Sequence, residues 1–331
     1  GSDVAYYPGN YGFDESYGSL AGGIDPYTHR YKNGPHTYAW HRNGERIDEQ
    51  GHATDLIADA AISWIEEQQG PWFAYVPFTA VHTPVRAPEA WIDLYGDTTY
   101  DPDPERDRSF KTYAAYASHM DHAVGRLVES LKRIDRIHNT LIVFTSDNGA
   151  PTKNPRADVA LYPGYHEDMP RCGSNYPLRG MKGQLYEGGI RTPTVVSWAS
   201  QLAAKKVAAP VQITDWMPTF AALLDCERPN DPRWDGVNIW PLIAGETDAA
   251  PERTLYWNVT HERFAVHKNH WKLIRRSQEN GVRHELFDLA DDPLEERDLS
   301  GKHPEKVEEL GQLIDEQHAR DNTSVRDDMS D

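Results

Sequence analysis

The stretch that decides the fold is Leu141-Ile142-Val143-Phe144-Thr145-Ser146-Asp147-Asn148-Gly149. Its first five residues form a continuous apolar run, which predicts a strand covered on both faces, as in a parallel sheet. Polar residues follow at the carboxyl end of this strand, where ligands of open α/β sheets bind. A carboxylate beside an amide suits a hard cation such as Ca²⁺ or Mg²⁺, although a plain Asx turn uses the same residues. Asp147 and Asn148 are therefore candidate metal ligands.

Helical and strand patterns alternate on either side of this stretch. Apolar residues recur at helical spacing in two long segments, and short apolar runs lie between them. The sequence predicts helices from Thr54 to Gly70-Pro71, over about 110–134 and after Asp215, strands over 72–79, 141–145 and 193–198, and mainly loop over 1–50 and 148–191. This alternation predicts an α/β fold with a mainly parallel sheet and helices on both faces.

The pattern changes near Gly245. Short strand patterns separated by turns follow, and then an amphipathic helix. The predicted strands cover 255–259, 263–266, 271–275 and 285–289, and the helix covers 304–318. The sequence thus predicts a large domain of residues 1–245 and a small antiparallel α+β subdomain of residues 246–331.

The amino-acid composition limits the classes of partner that the protein can bind. A formal net charge of -18 argues against nucleic acid, because a phosphate backbone needs a basic face. An anionic small molecule stays compatible, since a few cations can hold an anion within an acidic protein. No apolar run is long enough to span a membrane, so no membrane partner is predicted. Two cysteines, Cys172 and Cys226, are too few for a disulfide framework, and whether they pair is left open.

Two further segments carry candidate chemistry. His82 follows a predicted strand in Ala80-Val81-His82-Thr83-Pro84, where it could donate to an anion or simply cap the loop. Lys182 lies in a glycine-rich loop that spans residues 177–193. Glycines permit close approach of the backbone, and lysine supplies a compact positive charge for a tetrahedral oxyanion. The loop is the more specific indication of an anion site.

Together these segments resemble the type I sulfatases of the alkaline phosphatase superfamily. Further landmarks of that family occur in the same order along nearly the whole chain. They are Gly12-Phe13-Asp14-Glu15, Thr54-Asp55, Met120-Asp121, Thr214-Asp215, and Leu286-Phe287-Asp288-Leu289 with Asp292-Pro293 and Glu295-Glu296. Residues 175–180 are most similar to the arylsulfatase A/B-like branch. The resemblance implies an alkaline-phosphatase-like fold in which residues 1–245 form the catalytic domain.

The resemblance also implies roles for individual residues. Asp147 and Asn148 match two ligands of the family's divalent cation, which is Ca²⁺ with Mg²⁺ as the alternative. Lys182 matches the lysine that holds the sulfate, and His82 matches the histidine on the other side of the sulfate. The implied activity is hydrolysis of the sulfate monoester of an aryl compound or a carbohydrate. The implied location is periplasmic, secreted or lysosome-like.

The family's nucleophile has no counterpart in the sequence. It is a formylglycine made from the Cys or Ser of a C/S-x-P/A-x-R motif, but Cys172 precedes Gly-Ser-Asn and Cys226 precedes Glu-Arg-Pro. The family's upstream metal pair is also missing, and its Gly-Phe-Asp-Glu landmark already occurs at residue 12. We therefore expect the formylglycine in an N-terminal part outside these 331 residues, and we expect the chain alone to be inactive.

Two other functions remain open from sequence. A phosphomonoesterase or phosphonate monoester hydrolase of the same superfamily would share much of the site. Two-metal phosphatases, however, tend to have histidine where Asn148 stands, and a neutral amide with a lone lysine fits one metal and a sulfate better. A non-catalytic, sulfatase-like binding subunit would account for the missing nucleophile.

Overall fold

The computed structural model describes residues 4–34, 37–152, 172–226, 234–260 and 262–321. Part of the predicted loop over 148–191 therefore lies outside the described residues. The chain divides into two compact units. The first contains the described residues up to Ile137, together with residues 152 and 172–173; the second contains 138–151 and the described residues from Ser174 to Asp321.

The described residues of the first unit form a small antiparallel sheet and three α-helices. The strands are β1 (Tyr17–Ser19), β2 (Trp40–Arg42) and β3 (Glu45–Arg46), and the helices are α1 (Ala53–Glu67), α2 (Glu89–Asp93) and α3 (Pro104–Arg133). The prediction of mainly loop over residues 1–50 missed this sheet, because strands of two or three residues carry no readable periodicity. Packing of Trp40 against Ile24, Ala53 and Ile57 orders it instead.

The two long helices confirm the helical pattern of the sequence. Helix α1 spans the predicted segment, whereas α3 begins earlier than predicted, at Pro104. The Asp103 side chain accepts hydrogen bonds from the backbone N–H groups of Glu105 and Arg106. This cap, followed by proline at the first helical position, starts α3 inside a segment whose acidic composition resembles a loop.

The strand predicted over residues 72–79 does not form a ladder. The segment has no hydrogen-bonded strand partner among the described residues. Its side chains still alternate: Phe73 and Tyr75 are exposed, whereas Val76 and Phe78 pack against the Trp40 cluster. Alternation therefore predicts which face is buried, but pairing also needs a neighbouring strand at hydrogen-bonding distance.

The second unit begins with a two-stranded ribbon. Strand β4 (Ile142–Thr145) pairs antiparallel with β5 (Thr194–Ser197). Both were expected to be covered, yet Phe144 is 44% exposed and Val195 is 60% exposed. The strand pairs of the described residues are all antiparallel, so they do not include the parallel pairs expected of this fold. Short helices follow: α4 (Glu187–Ile190), α5 (Trp216–Leu223) and α6 (Trp240–Ala244).

The C-terminal sheet confirms the sequence pattern. Strands β6 (Thr254–Thr260), β7 (Arg263–Lys268), β8 (Trp271–Gln278) and β9 (Gly281–Asp288) form an antiparallel meander, and α7 (Pro304–His318) follows. One face packs Phe264, Val266 and Leu273 against α7. The opposite face packs Ala265, Ile274 and Phe287 against Leu185 and Tyr186 of the glycine-rich loop. The sheet thus supports the loop that carries Lys182. The boundary near Gly245 remains a prediction.

Candidate active site

Asp147 and Asn148 form the turn that ends β4. The Asp147 carboxylate is exposed, and its Oδ1 accepts the backbone N–H of Asn148 at 2.8 Å and the side-chain Nδ2 at 2.9 Å. The Ser146 hydroxyl donates to the carbonyl oxygen of Asn148 at 3.0 Å. Carboxylate and amide oxygens are ligands that Ca²⁺ and Mg²⁺ prefer, so the side chains of Asp147 and Asn148 fit such a cation.

The next residue packs directly against the glycine-rich loop. The backbone N–H of Gly149 donates to the carbonyl oxygen of Gly189 at 3.0 Å. A Cβ on Gly149 would lie 1.8 Å from the Gly188 carbonyl oxygen, and a Cβ on Gly189 would lie 2.1 Å from the Gln184 carbonyl oxygen. Only glycine permits backbones to approach so closely, which explains the glycines of this motif.

Asn175 joins the same two segments through its amide. Its Oδ1 accepts the Ala150 N–H at 2.7 Å, and its Nδ2 donates to the carbonyl oxygens of Ala150 (2.7 Å) and Gly180 (3.1 Å). The Lys182 N–H also approaches the Ala150 carbonyl oxygen, at 3.4 Å. The structure therefore brings the Lys182 backbone beside the turn of Asp147 and Asn148.

His82 belongs to the first unit. Its Nδ1 lies 2.7 Å from the Thr83 carbonyl oxygen, so Nδ1 carries a proton and donates it. A Cβ on Gly23 would lie 1.9 Å from the same nitrogen, so the absence of a side chain at Gly23 leaves room for the imidazole. The imidazole is exposed.

The two cysteines are free thiols, which answers the question that the sequence left open. Cys172 is half-buried, and burial raises the pKa of its thiol. Cys226 is exposed.

His52, Asp55 and His119 form a second polar cluster, in the first unit, with one potential ligand atom each within 4.8 Å of the others. His52 Nδ1 accepts the Thr54 N–H, so Nε2 carries the proton that points to the Arg86 carbonyl oxygen at 3.1 Å. His119 Nε2 lies 3.0 Å from Asp55 Oδ1. Because both nitrogens of His52 are engaged, the donor set does not fit a metal ion. The cluster instead joins α1 to α3.

Sequence reasoning missed a buried ion cluster behind the glycine-rich loop. The Lys272 ammonium lies 2.8 Å from Glu187 Oε1 and 2.7 Å from Glu295 Oε1. Lys272 follows Trp271 and precedes Leu273 and Ile274 in β8, and a lysine inside such an apolar strand is the signal that could have revealed it.

The described elements form a mixed helix-and-sheet protein with a C-terminal antiparallel sheet, and its similarity to solved sulfatases assigns it to the alkaline-phosphatase-like fold. The sequence model of the Sulfatase family matches residues 2–226, and that of the N-sulphoglucosamine sulphohydrolase C-terminal region matches residues 181–320. The chain therefore belongs to the sulfatase family, which confirms the resemblance inferred from the motifs.

Curated relatives agree with this assignment. Arylsulfatase J of Mus musculus is 28% identical over 359 residues, covering 92% of the chain and 56% of the relative. An N-acetylgalactosamine-6-O-sulfatase of Bacteroides thetaiotaomicron is 26% identical over 283 residues, covering 79% of the chain and 50% of the relative. The chain spans about half the length of the curated relatives it matches.

Solved structures confirm the fold class. Ps i-CgsB, solved in complex with k-i-k-neocarrahexaose, has a TM-score of 0.78 and 27% identity, covering 95% of the chain and 68% of that structure. Phosphonate monoester hydrolase of Agrobacterium radiobacter has a TM-score of 0.51 at 18% identity, covering 81% of the chain and 60% of that structure, and so shares the fold alone. Each helix in the described part of the chain is too short or too polar to cross a bilayer.

Proposed function

We propose that the protein containing this chain hydrolyses sulfate monoesters. The observation that carries the proposal is the packing of the Lys182 loop onto the residues that follow the Asp147-Asn148 turn, because it brings the backbone of a lysine close to two residues whose side-chain oxygens suit a metal. Membership of the sulfatase family supports the same activity. The phosphonate monoester hydrolase is similar in fold alone, so its similarity adds no argument for phosphonate ester hydrolysis.

Each candidate residue has a proposed role. Lys182 and His82 donate to sulfate oxygens and stabilise the negative charge that develops as the ester bond breaks. Asp147 and Asn148 hold one divalent cation, Ca²⁺ or Mg²⁺, which when bound supplies further positive charge to the sulfate. The nucleophile that family resemblance implies is a formylglycine, and we propose that it lies outside residues 1–331, because neither Cys172 nor Cys226 has the required motif.

A sulfated carbohydrate is the proposed substrate class. An N-acetylgalactosamine-6-O-sulfatase is among the relatives, and Ps i-CgsB was solved with a neocarrahexaose. The arylsulfatase relative supports an aryl sulfate as a convenient chromogenic substrate. Resemblance to the same family supports a periplasmic, secreted or lysosome-like location.

The test is turnover by the full-length enzyme with 4-nitrophenyl sulfate, a sulfated galactosamine oligosaccharide and 4-nitrophenyl phosphate. We expect sulfate ester hydrolysis to dominate. Lys182→Ala should lower kcat by about 100- to 1000-fold, because it removes a donor to the developing charge. The matched control is Lys206→Ala at an exposed lysine, which should retain normal turnover.

Two results would contradict the proposal. Dominant phosphate ester hydrolysis would favour the phosphatase alternative. Binding of sulfated carbohydrate without turnover would favour a non-catalytic binding subunit. If sulfate esters are hydrolysed but Lys182→Ala has normal kcat, the role given to Lys182 is wrong.

A further inference from the structure

A buried ion cluster joins the glycine-rich loop to the C-terminal sheet. Its centre is Lys272 of β8, whose ammonium lies within 2.8 Å of carboxylate oxygens of Glu187 and Glu295. Lys272 and Glu295 have no exposed side-chain surface, and Glu187 has little. Buried ion pairs contribute little net stability, because desolvation offsets their attraction. In this cluster they join three segments that are separate in sequence, namely β8, the start of α4 and the turn that contains Glu295.

Glu295 contacts both ends of the segment that carries Lys182. Its Oε2 accepts the backbone N–H of Glu187 at 2.7 Å. Its carbonyl oxygen accepts a hydrogen bond from Arg179 Nη1 at 2.6 Å. Residues 179–187 are therefore held at both ends by one residue, with Lys182 between the two points of attachment.

Arg179 is fixed by further contacts with the sheet. Its guanidinium lies 4.0 Å from the centre of the Tyr186 ring, and its Nη2 donates to the Tyr186 hydroxyl at 3.0 Å. The Tyr186 hydroxyl in turn donates to the buried carboxylate of Glu285, at 2.9 Å from Oε2. The loop end thus has a defined side-chain geometry as well as a defined backbone position.

The backbone of Glu295 indicates that this placement is specified by its surroundings. Glu295 has a φ of 57°, in the left-handed region that residues other than glycine rarely adopt. Asp292 stabilises the turn by accepting the backbone N–H groups of Glu296 and Arg297. Such a conformation persists only where surrounding contacts determine it, and it is frequent near functional sites.

We propose that Lys272 and Glu295 are positioning residues for Lys182, which fix the loop of residues 179–187 so that the lysine is held beside the Asp147-Asn148 turn. The inference rests on the proposed sulfate-binding role of Lys182. Neither residue is given a role in contacting the substrate: Glu295 acts through Glu187 and Arg179, and Lys272 acts through Glu187 and Glu295. The C-terminal sheet thereby helps to position a residue of the anion site.

The first test measures the loop directly and does not depend on activity. Backbone hydrogen–deuterium exchange of residues 179–190 is compared between wild type and Lys272→Met. We expect exchange of this segment to accelerate at least tenfold, because two carboxylates lose their common cation. The matched control is Arg253→Met, which breaks the buried pair of Arg253 with Asp215 in the same unit. It should leave exchange of residues 179–190 within about twofold of wild type.

The second test measures catalysis by the full-length enzyme with a sulfate ester. Lys272→Met and Glu295→Gln should each lower kcat/KM by about 10- to 100-fold, since small displacements of a positioned group have effects of this size. Lys272→Arg, which keeps the charge, should recover part of the loss. Arg253→Met should retain kcat/KM within about threefold, even where its melting temperature falls as far as that of Lys272→Met.

The outcomes separate this inference from the proposed function. If wild type does not hydrolyse sulfate esters, the proposed function fails. The exchange data alone then decide whether Lys272 and Glu295 fix the loop of residues 179–187. If wild type is active while both variants match Arg253→Met in exchange and in kcat/KM, the positioning role is overturned. Should Lys272→Met not fold, the isosteric Glu295→Gln decides by the same criteria.

Discussion

At the scale of single residues, the site depends on positions where a side chain is absent. Gly149 faces the backbone of Gly188, and Gly23 faces the imidazole of His82. The two contacts differ in whether the neighbouring atoms can move away from an added side chain. Backbone atoms held by hydrogen bonds cannot move without disturbing the loop, whereas the imidazole can rotate away. Substitutions at these glycines should therefore affect different properties.

Gly149→Ala should destabilise the second unit by roughly 3 kcal/mol, at the upper end of the range for overpacking a dense contact. Its new Cβ would lie 1.8 Å from a carbonyl oxygen, so the loop of Lys182 would have to shift. Urea denaturation would measure the change. Gly311→Ala in α7 is the control: no atom lies within 4 Å of its Cβ, so the helix should gain up to about 1 kcal/mol. Equal effects of the two substitutions would contradict the packing described for Gly149.

Gly23→Ala should leave the melting temperature nearly unchanged but lower kcat/KM about tenfold. The imidazole of His82 would be displaced from its hydrogen bond to the Thr83 carbonyl oxygen, and misplaced groups lose rate readily. Steady-state kinetics with a sulfate ester measure this effect. Gly9→Ala, where a Cβ meets no atom within 4 Å, is the matched control. Normal kinetics for Gly23→Ala would remove His82 from the proposed site.

At the scale of elements, α1 begins at a neutral histidine. His52 Nδ1 accepts the Thr54 N–H as the N-cap, and burial lowers the pKa of His52 to about 4. A protonated imidazole could not accept this hydrogen bond. In the unfolded chain His52 takes up a proton below about pH 6.5, whereas in the folded chain it stays neutral until about pH 4. Stability is therefore lost as pH falls through this window.

His52 should make the protein roughly 2 kcal/mol less stable at pH 5 than at pH 7. Urea denaturation at the two pH values measures the difference. His52→Asn keeps a side-chain oxygen that can cap the helix but does not titrate, so its stability should depend less on pH. The buried His41, whose pKa is also lowered to about 4, contributes equally to both proteins. An unchanged pH dependence in His52→Asn would show that folding does not lower the pKa of His52, and would contradict the prediction.

At the scale of the whole molecule, the acidic charge opposes folding. The formal net charge is -18, so the excess acidic side chains repel one another in the compact folded state. Salt screens this repulsion. The melting temperature should therefore rise when sodium chloride increases from about 10 to about 200 mM. The comparison variant has glutamine in place of four exposed glutamates, Glu67, Glu246, Glu279 and Glu308. Removing four negative charges changes the net charge from -18 to -14, so its melting temperature should rise less with salt. A fall in melting temperature with salt would mean that surface ion pairs outweigh the repulsion.

The boundary near Gly245 is also a question for the whole molecule. A fragment of residues 246–331 would retain α7 on one face of the sheet, but it would lose Leu185 and Tyr186 from the other. We expect this fragment to be less stable than the same sheet in the chain. Urea denaturation, followed by the fluorescence of Trp257 and Trp271, would compare the two.

The sequence by itself determined the family, the helices α1, α3 and α7, and the C-terminal meander. It also proposed the four candidate site residues, whose roles stay predictions. Apolar periodicity and contiguous motifs are local, so they can be read along the chain. The tertiary structure alone decided that residues 72–79 have no strand partner among the described residues. It also decided that Asn175 forms hydrogen bonds with Ala150, and that Lys272 and Glu295 contact the loop that carries Lys182. These contacts join residues up to 116 positions apart, as Arg179 and Glu295 are, and no local pattern encodes such a pairing.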